Sequence, residues 1–232
     1  TAWAVPTSEG IVVIDPLFDY SVEAAVVEGL TKLGFDPSDI KYVIVSHGHS
    51  DHAAGARLLQ ERFGARVVAS AADWDLMERN TASWPKPQRD IVITGDRELR
   101  IGDTTFFLVN TPGHTPGTIS TLLPLKDGPD THLGVLWGGT GFNFTASPEY
   151  PRAFWYRAYI NSAERLREMA RWAGADVILS NHPASDGTAT KLPAVSRRQS
   201  GDPHPYVVGS AAVGEFLTVA AECAKASLLN EG

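Results

Sequence analysis

Three imidazoles and one carboxylate crowd the stretch Ser46-His47-Gly48-His49-Ser50-Asp51-His52, directly after the apolar run Tyr42-Val43-Ile44-Val45. Histidine and aspartate together are a ligand set that zinc favours. A purely structural explanation is harder to find. Such groups in one turn do not stack into a core, and a solvated turn has no use for three histidines. Gly48 supplies the backbone freedom for alternate residues to point to one side. His47 and His49 can then bind one ion while Asp51 and His52 face a second. Tetrahedral zinc needs more ligands than this loop offers. Thr111-Pro112-Gly113-His114-Thr115-Pro116-Gly117 presents His114 in a turn framed by two Pro-Gly pairs, and Asn181-His182-Pro183 presents His182. Pro-Gly turns are common, so each is weak evidence by itself. An internal echo strengthens the second. Asp39-Ile40-Lys41-Tyr42-Val43-Ile44-Val45-Ser46-His47 and Gly174-Ala175-Asp176-Val177-Ile178-Leu179-Ser180-Asn181-His182 both run from a helix stop through a buried strand to a Ser and then a His. Loops at the carboxyl ends of strands are where open α/β sheets place ligands.

The elements that must position these residues read as alternating short β-branched runs and helical stretches. Strands are expected at Ile11–Ile14, Tyr42–Val45, Arg66–Ala69, Asp90–Ile93, Arg100–Ile101, Thr104–Asn110, Thr118–Leu123, Leu133–Trp137 and Val177–Leu179. Helices are expected at 21–33, 54–63, 71–80, within 150–172, and at 210–229. Ala2-Trp3-Ala4-Val5 already reads as mid-strand. Residues 124–131 are rich in Pro, Gly and Asp and read as a loop, and 185–206 reads as loop-rich. The chain is 232 residues long, enough for one large domain. It is expected to be a single domain, 1–232, with two similar halves at about 1–125 and 126–232.

The formal net charge is −7 and neither half is basic, which argues against a protein held by phosphate contacts. No nucleic acid is expected as partner. No run of 18 apolar residues is present, so no membrane-spanning helix is expected. Cys223 is the only cysteine, which excludes an intrachain disulfide and any Cys-rich zinc site.

Taken together, the His-x-His-x-Asp-His loop, the Pro-Gly-His-Thr-Pro-Gly turn and the late strand-His are similar, in order, to the motifs of the metallo-β-lactamase superfamily. The resemblance covers essentially the whole chain, apart from an N-terminal strand or hairpin of the family that is expected to be missing. It implies an α/β fold, a four-layer αβ/βα sandwich with the metal site on one edge of the sheets. It also places Asp15, after the first strand, as the family's buried aspartate behind the ligands, although as a residue it could equally be a turn before Pro16. Members that reduce oxygen or nitric oxide carry Glu where this chain has His49. An all-nitrogen first set favours zinc hydrolysis over iron redox chemistry. Thioester hydrolases, many lactonases and transfer-RNA nucleases carry a metal-bridging Asp after the strand near Trp137. Here that stretch is Trp137-Gly138-Gly139-Thr140-Gly141, without an acid. The intact Asp51-His52 pair, and the stretch Glu149-Tyr150-Pro151, resemble the third β-lactamase subclass.

That subclass implies two Zn²⁺ ions, one held by His47, His49 and His114 and the other by Asp51, His52 and His182. The expected function is hydrolysis of a small cyclic amide, a β-lactam, with Asp51 orienting the attacking water. Thr140 falls where the subclass commonly has a Ser near the substrate carboxylate, and Asn143 is a second candidate contact, though a loop Asn needs no function. A lactone or ester substrate, a non-catalytic metal-binding role, and iron or manganese in place of zinc remain as alternatives. Trp74, Trp84, Trp137, Phe142, Phe144, Trp155 and Tyr156 could line a pocket, but for each singly core packing is the better reading. His132 and His204 read as surface residues, and Arg197-Arg198 as a solvated pair. The resemblance implies a periplasmic or secreted location after removal of a signal, with a cytoplasmic one as the alternative.

Overall fold

Alternation along the strands dictates the architecture. A computed structural model describes residues 1–231. The first sheet has the order β1-β2-β3-β4-β5, formed by Trp3–Thr7, Gly10–Ile14, Ile40–Ile44, Arg66–Ser70 and Ile91–Ile93. The β1–β2 pair is antiparallel and the others are parallel. The second sheet has the order β10-β9-β8-β7-β6, formed by Val177–Ser180, Asp130–Trp137, Ile119–Asp127, Thr104–Asn110 and Arg97–Ile101. Here β9–β10 is parallel and the others are antiparallel.

Successive side chains on a strand point to opposite faces, and both sheets are buried on both faces. On β2, Ile11 and Val13 join an outer core, whereas Val12 and Ile14 face the other sheet. The same split separates Val67 from Val68 on β4 and Val135 from Leu136 on β9. The outer face of the first sheet packs on α1 (Asp19–Val22), a π-helical turn (Glu23–Val27), α2 (Glu28–Lys32), α3 (Ser50–Ala53), α4 (Ala56–Phe63) and α5 (Ala71–Arg79). The outer face of the second packs on α6 (Arg152–Ala173) and α8 (Ser210–Leu229), whereas α7 (Thr188–Arg197) lies against the space between the sheets through Val195. The result is the expected four-layer αβ/βα sandwich. Among the described residues no helix is long and apolar enough to cross a membrane.

Three expectations need correction. The sheets divide the chain between Ile93 and Arg97, not after residue 125, because β6, β7 and β8 lie in one sheet with β9 and not in the first sheet. Residues 124–131 are not a loop: β8 runs on to Asp127 and β9 starts at Asp130, with Pro124 opposite Leu133 and only Gly128-Pro129 turning. Pro124 is exposed there. Within 185–206 the helix α7 forms despite Pro193 in its interior.

Candidate metal centre

Every segment of the cluster emerges at the end of a strand. The parallel strand β3 delivers His47 and His49, and α3 begins directly after His49, which puts Asp51 and His52 in its first turn. The β7–β8 turn delivers His114, and His182 follows β10. The two sheets are tied together here: the Ile119 N–H donates to the Ser46 carbonyl at 2.7 Å.

His47, His49 and His114 converge. The His114 Nε2 atom lies 3.1 Å from His47 Nε2 and 3.2 Å from His49 Nδ1. Their outer nitrogens explain the chemistry. His47 Nδ1 sits 2.8 Å from the Gly138 carbonyl and His114 Nδ1 2.9 Å from the Gly141 carbonyl. A carbonyl can only accept, so both Nδ1 atoms carry the proton and both Nε2 atoms present bare lone pairs. Facing lone pairs repel unless a cation is shared between them, so the donor set fits a metal ion. Burial, and then the neighbouring imidazoles, holds the pKa of His47 well below its ordinary value, and burial lowers His114 to about 4. His49 is also lowered by burial.

Asp51, His52 and His182 form an adjoining set. His52 Nε2 lies 3.0 Å from Asp51 Oδ2 and 3.3 Å from His182 Nε2, and His182 Nε2 lies 3.9 Å from Asp51 Oδ2. The His47 and His52 rings are 4.2 Å apart between centroids, and His47, Asp51 and His52 also satisfy the geometry of a metal-holding group. Burial alone would lower His52, but the Asp15 and Asp51 carboxylates outweigh it and raise the pKa to about 9. Burial would raise Asp51, but its bond to His52 and the charge of that ring hold it down, at about 2.

Asp15 is fully buried behind His52. Its carboxylate accepts from the Ser46 N–H (2.7 Å), the Ser46 hydroxyl (2.6 Å) and His52 Nδ1 (3.0 Å). It adopts φ 55°, a left-handed conformation that Asp tolerates better than most residues. Its place is therefore in the support of the cluster and not merely in a turn. Asn181 extends that support by donating to the Gly138 carbonyl (2.8 Å) and Ser46 Oγ (3.1 Å).

Sequence reasoning assigned no role to Ser46 or Asn181, although both stand in the echoed strand ends. It also missed Asp73, a buried carboxylate on α5. Asp73 accepts from the Gly48 N–H, the Thr115 hydroxyl and the Gly117 N–H. Burial raises its pKa to about 6 against the pull of these bonds. Thr140 lies between the two carbonyls that hold His47 and His114, with its hydroxyl 3.2 Å from Ser180 Oγ. Asn143 is exposed on the following irregular stretch. Phe142, Phe144, Trp155 and Tyr156 stack as one cluster, while Trp74 and Trp137 are fully buried core. His132 is not a free surface residue: it lies on β9, largely buried, 2.6 Å from Asp176.

The model of the metallo-beta-lactamase superfamily matches residues 1–127, and the chain belongs to that family. Metal binding is a property of the family, and the clustered residues are those that could hold the ions here. A hydroxyacylglutathione hydrolase of Acidiphilium cryptum is 30% identical over 121 residues, which is 52% of this chain and 43% of that protein. The chain spans about half the length of the curated relatives it matches. BJP-1, a subclass B3 metallo-beta-lactamase of Bradyrhizobium japonicum, superposes with a TM-score of 0.80 at 23% identity, covering 99% of this chain and 87% of that one. At that identity the likeness is one of fold. The Rm3 metallo-beta-lactamase is 28% identical with a TM-score of 0.79, again covering 99% and 87%.

Proposed function

We propose that the chain is a dinuclear zinc hydrolase that opens a β-lactam ring. The observation that carries this reading is the stretch after β9. Superfamily members that cleave thioesters, and many lactonases, place a metal-bridging Asp there. This chain places Gly138 to Gly141, whose backbone carbonyls instead orient His47 and His114. The likeness to the Rm3 metallo-beta-lactamase along nearly the whole chain, at 28% identity, supports the same reading.

His47, His49 and His114 would hold one zinc, and Asp51, His52 and His182 the other. When bound, a zinc pair supplies Lewis acidity and draws the pKa of water towards neutrality. Asp51, ionised at neutral pH, orients the attacking water and receives its proton. As the water oxygen adds to the lactam carbonyl carbon, the C–N bond breaks and that proton passes to the leaving nitrogen. Thr140, steadied by the buried Ser180 hydroxyl, presents its own hydroxyl to the substrate carboxylate, with Asn143 on the exposed approach. No serine nucleophile is needed.

The test is hydrolysis of penicillins, cephalosporins and carbapenems by the zinc-loaded protein, with and without chelator, beside thioesters and lactones. Ring opening that the chelator abolishes is expected. Asp51→Asn is expected to lower kcat/KM by about 10²-fold or more. Cleavage of thioesters or lactones with every β-lactam left intact would refute the lactam assignment.

A further inference from the structure

Asp73 holds the key to how two separate loops keep their histidines in register. Its side chain is essentially excluded from solvent, and among the described residues it has no basic partner. A buried carboxylate without a cation is costly and persists only where its hydrogen bonds offset the loss of water. All three of its side-chain bonds go to segments that carry histidines. Oδ2 accepts from the Gly48 N–H at 2.8 Å, between His47 and His49, and from Thr115 Oγ1 at 2.7 Å, directly after His114. Oδ1 accepts from the Gly117 N–H at 2.9 Å, at the end of the same turn. A Cβ on Gly117 would overlap Ser70 Oγ and crowd Asp73, so only glycine lets that N–H approach so closely. The carboxylate is itself fixed on α5, where Ser70 Oγ caps the Asp73 N–H at 3.1 Å.

We propose that Asp73 is a positioning residue that clamps the His47–His49 loop to the His114 turn, so that the three imidazoles converge as one metal-binding set. The inference rests on reading that trio as a metal site. Asp73 touches neither substrate nor metal; it sets the distance between two backbones. Asparagine in its place would turn an amide NH₂ towards N–H and O–H donors and drive the loops apart.

The test is Co²⁺ binding to the full chain, followed by visible absorption, for wild type, Asp73→Asn and the milder Thr115→Val. Ser70→Ala serves as a control that weakens α5 but leaves all three loop bonds in place. Asp73→Asn is expected to weaken one of the two Co²⁺ steps by about 10- to 100-fold and to shift the absorption bands of that step, leaving the other unchanged. Thr115→Val is expected to give a smaller loss at the same step. Wild-type Co²⁺ affinity and spectrum in both variants would overturn the proposal, as would an equal loss in Ser70→Ala. Wild-type protein that binds no Co²⁺ overturns the metal reading itself, and the proposal with it.

Discussion

His52 lies between two carboxylates, Asp15 on Nδ1 and Asp51 on Nε2, both at 3.0 Å. The other clustered imidazoles have no such pairing on both nitrogens, and burial keeps His47 and His114 neutral at physiological pH. The metal-free cluster therefore carries its proton on His52. The raised pKa gives the metal-free fold stability that is complete below about pH 6.5, the ordinary imidazole value. That contribution fades as the pH rises through about 9. A metal at Asp51, His52 and His182 must displace that proton, so affinity there falls as the pH drops below about 9, whereas His47, His49 and His114 start deprotonated. Histidine NMR on the metal-free protein is expected to show His52 titrating near 9 and His114 near 4. Asp51→Asn is expected to lower the His52 midpoint without restoring the ordinary value, because Asp15 remains. A His52 midpoint at or below the ordinary imidazole value would show that the carboxylates do not outweigh burial.

Elements set the tolerances within which those residues meet. Gly138 shows how narrow they are. Its carbonyl takes bonds from His47 and Asn181, and a Cβ on it would run into the Ile119 carbonyl at the seam between the sheets. Gly138→Ala is expected to cost about 1–3 kcal/mol by overpacking and to weaken metal binding at the His47 set. Denaturation and metal titration would check both, and an alanine variant as stable as wild type would remove the close-approach argument. Much of this level is legible in sequence. The runs Tyr42–Val45 and Val177–Leu179, each followed by Ser and a nearby His, place two of the loops at strand ends. The β8–β9 hairpin is not legible, because Pro124 and the polar residues around Gly128 read locally as a loop. Cross-strand pairing, such as Pro124 with Leu133, overrides that local signal. Asp73 is hidden for a similar reason. An acid in the first turn of a helix looks the same whether it faces water or two distant loops.

The whole molecule is two sheets with a shared inner core, and the cluster sits where their strand ends converge. Its clustered side chains come from the end of β3 and from α3 on one side, and from the β7–β8 turn and the end of β10 on the other. A metal bound there cross-links both sheets, and it also relieves the repulsion among facing imidazole lone pairs. A ligand that binds only the folded state stabilises it by mass action, by about 2.7 kcal/mol at a free concentration a hundred times the Kd. For a chain of this size each kcal/mol moves Tm by about 2–4 °C. One filled set is therefore expected to raise Tm by roughly 5–10 °C over metal-free protein, and a second to add to it. Thermal unfolding before and after chelation, with metal content measured in both samples, tests this. A Tm that does not move once the metal is gone would mean that the ions do not join the two sheets, and that the hydrogen bonds around Asp15, Ser46, Asn181 and Gly138 hold the seam alone.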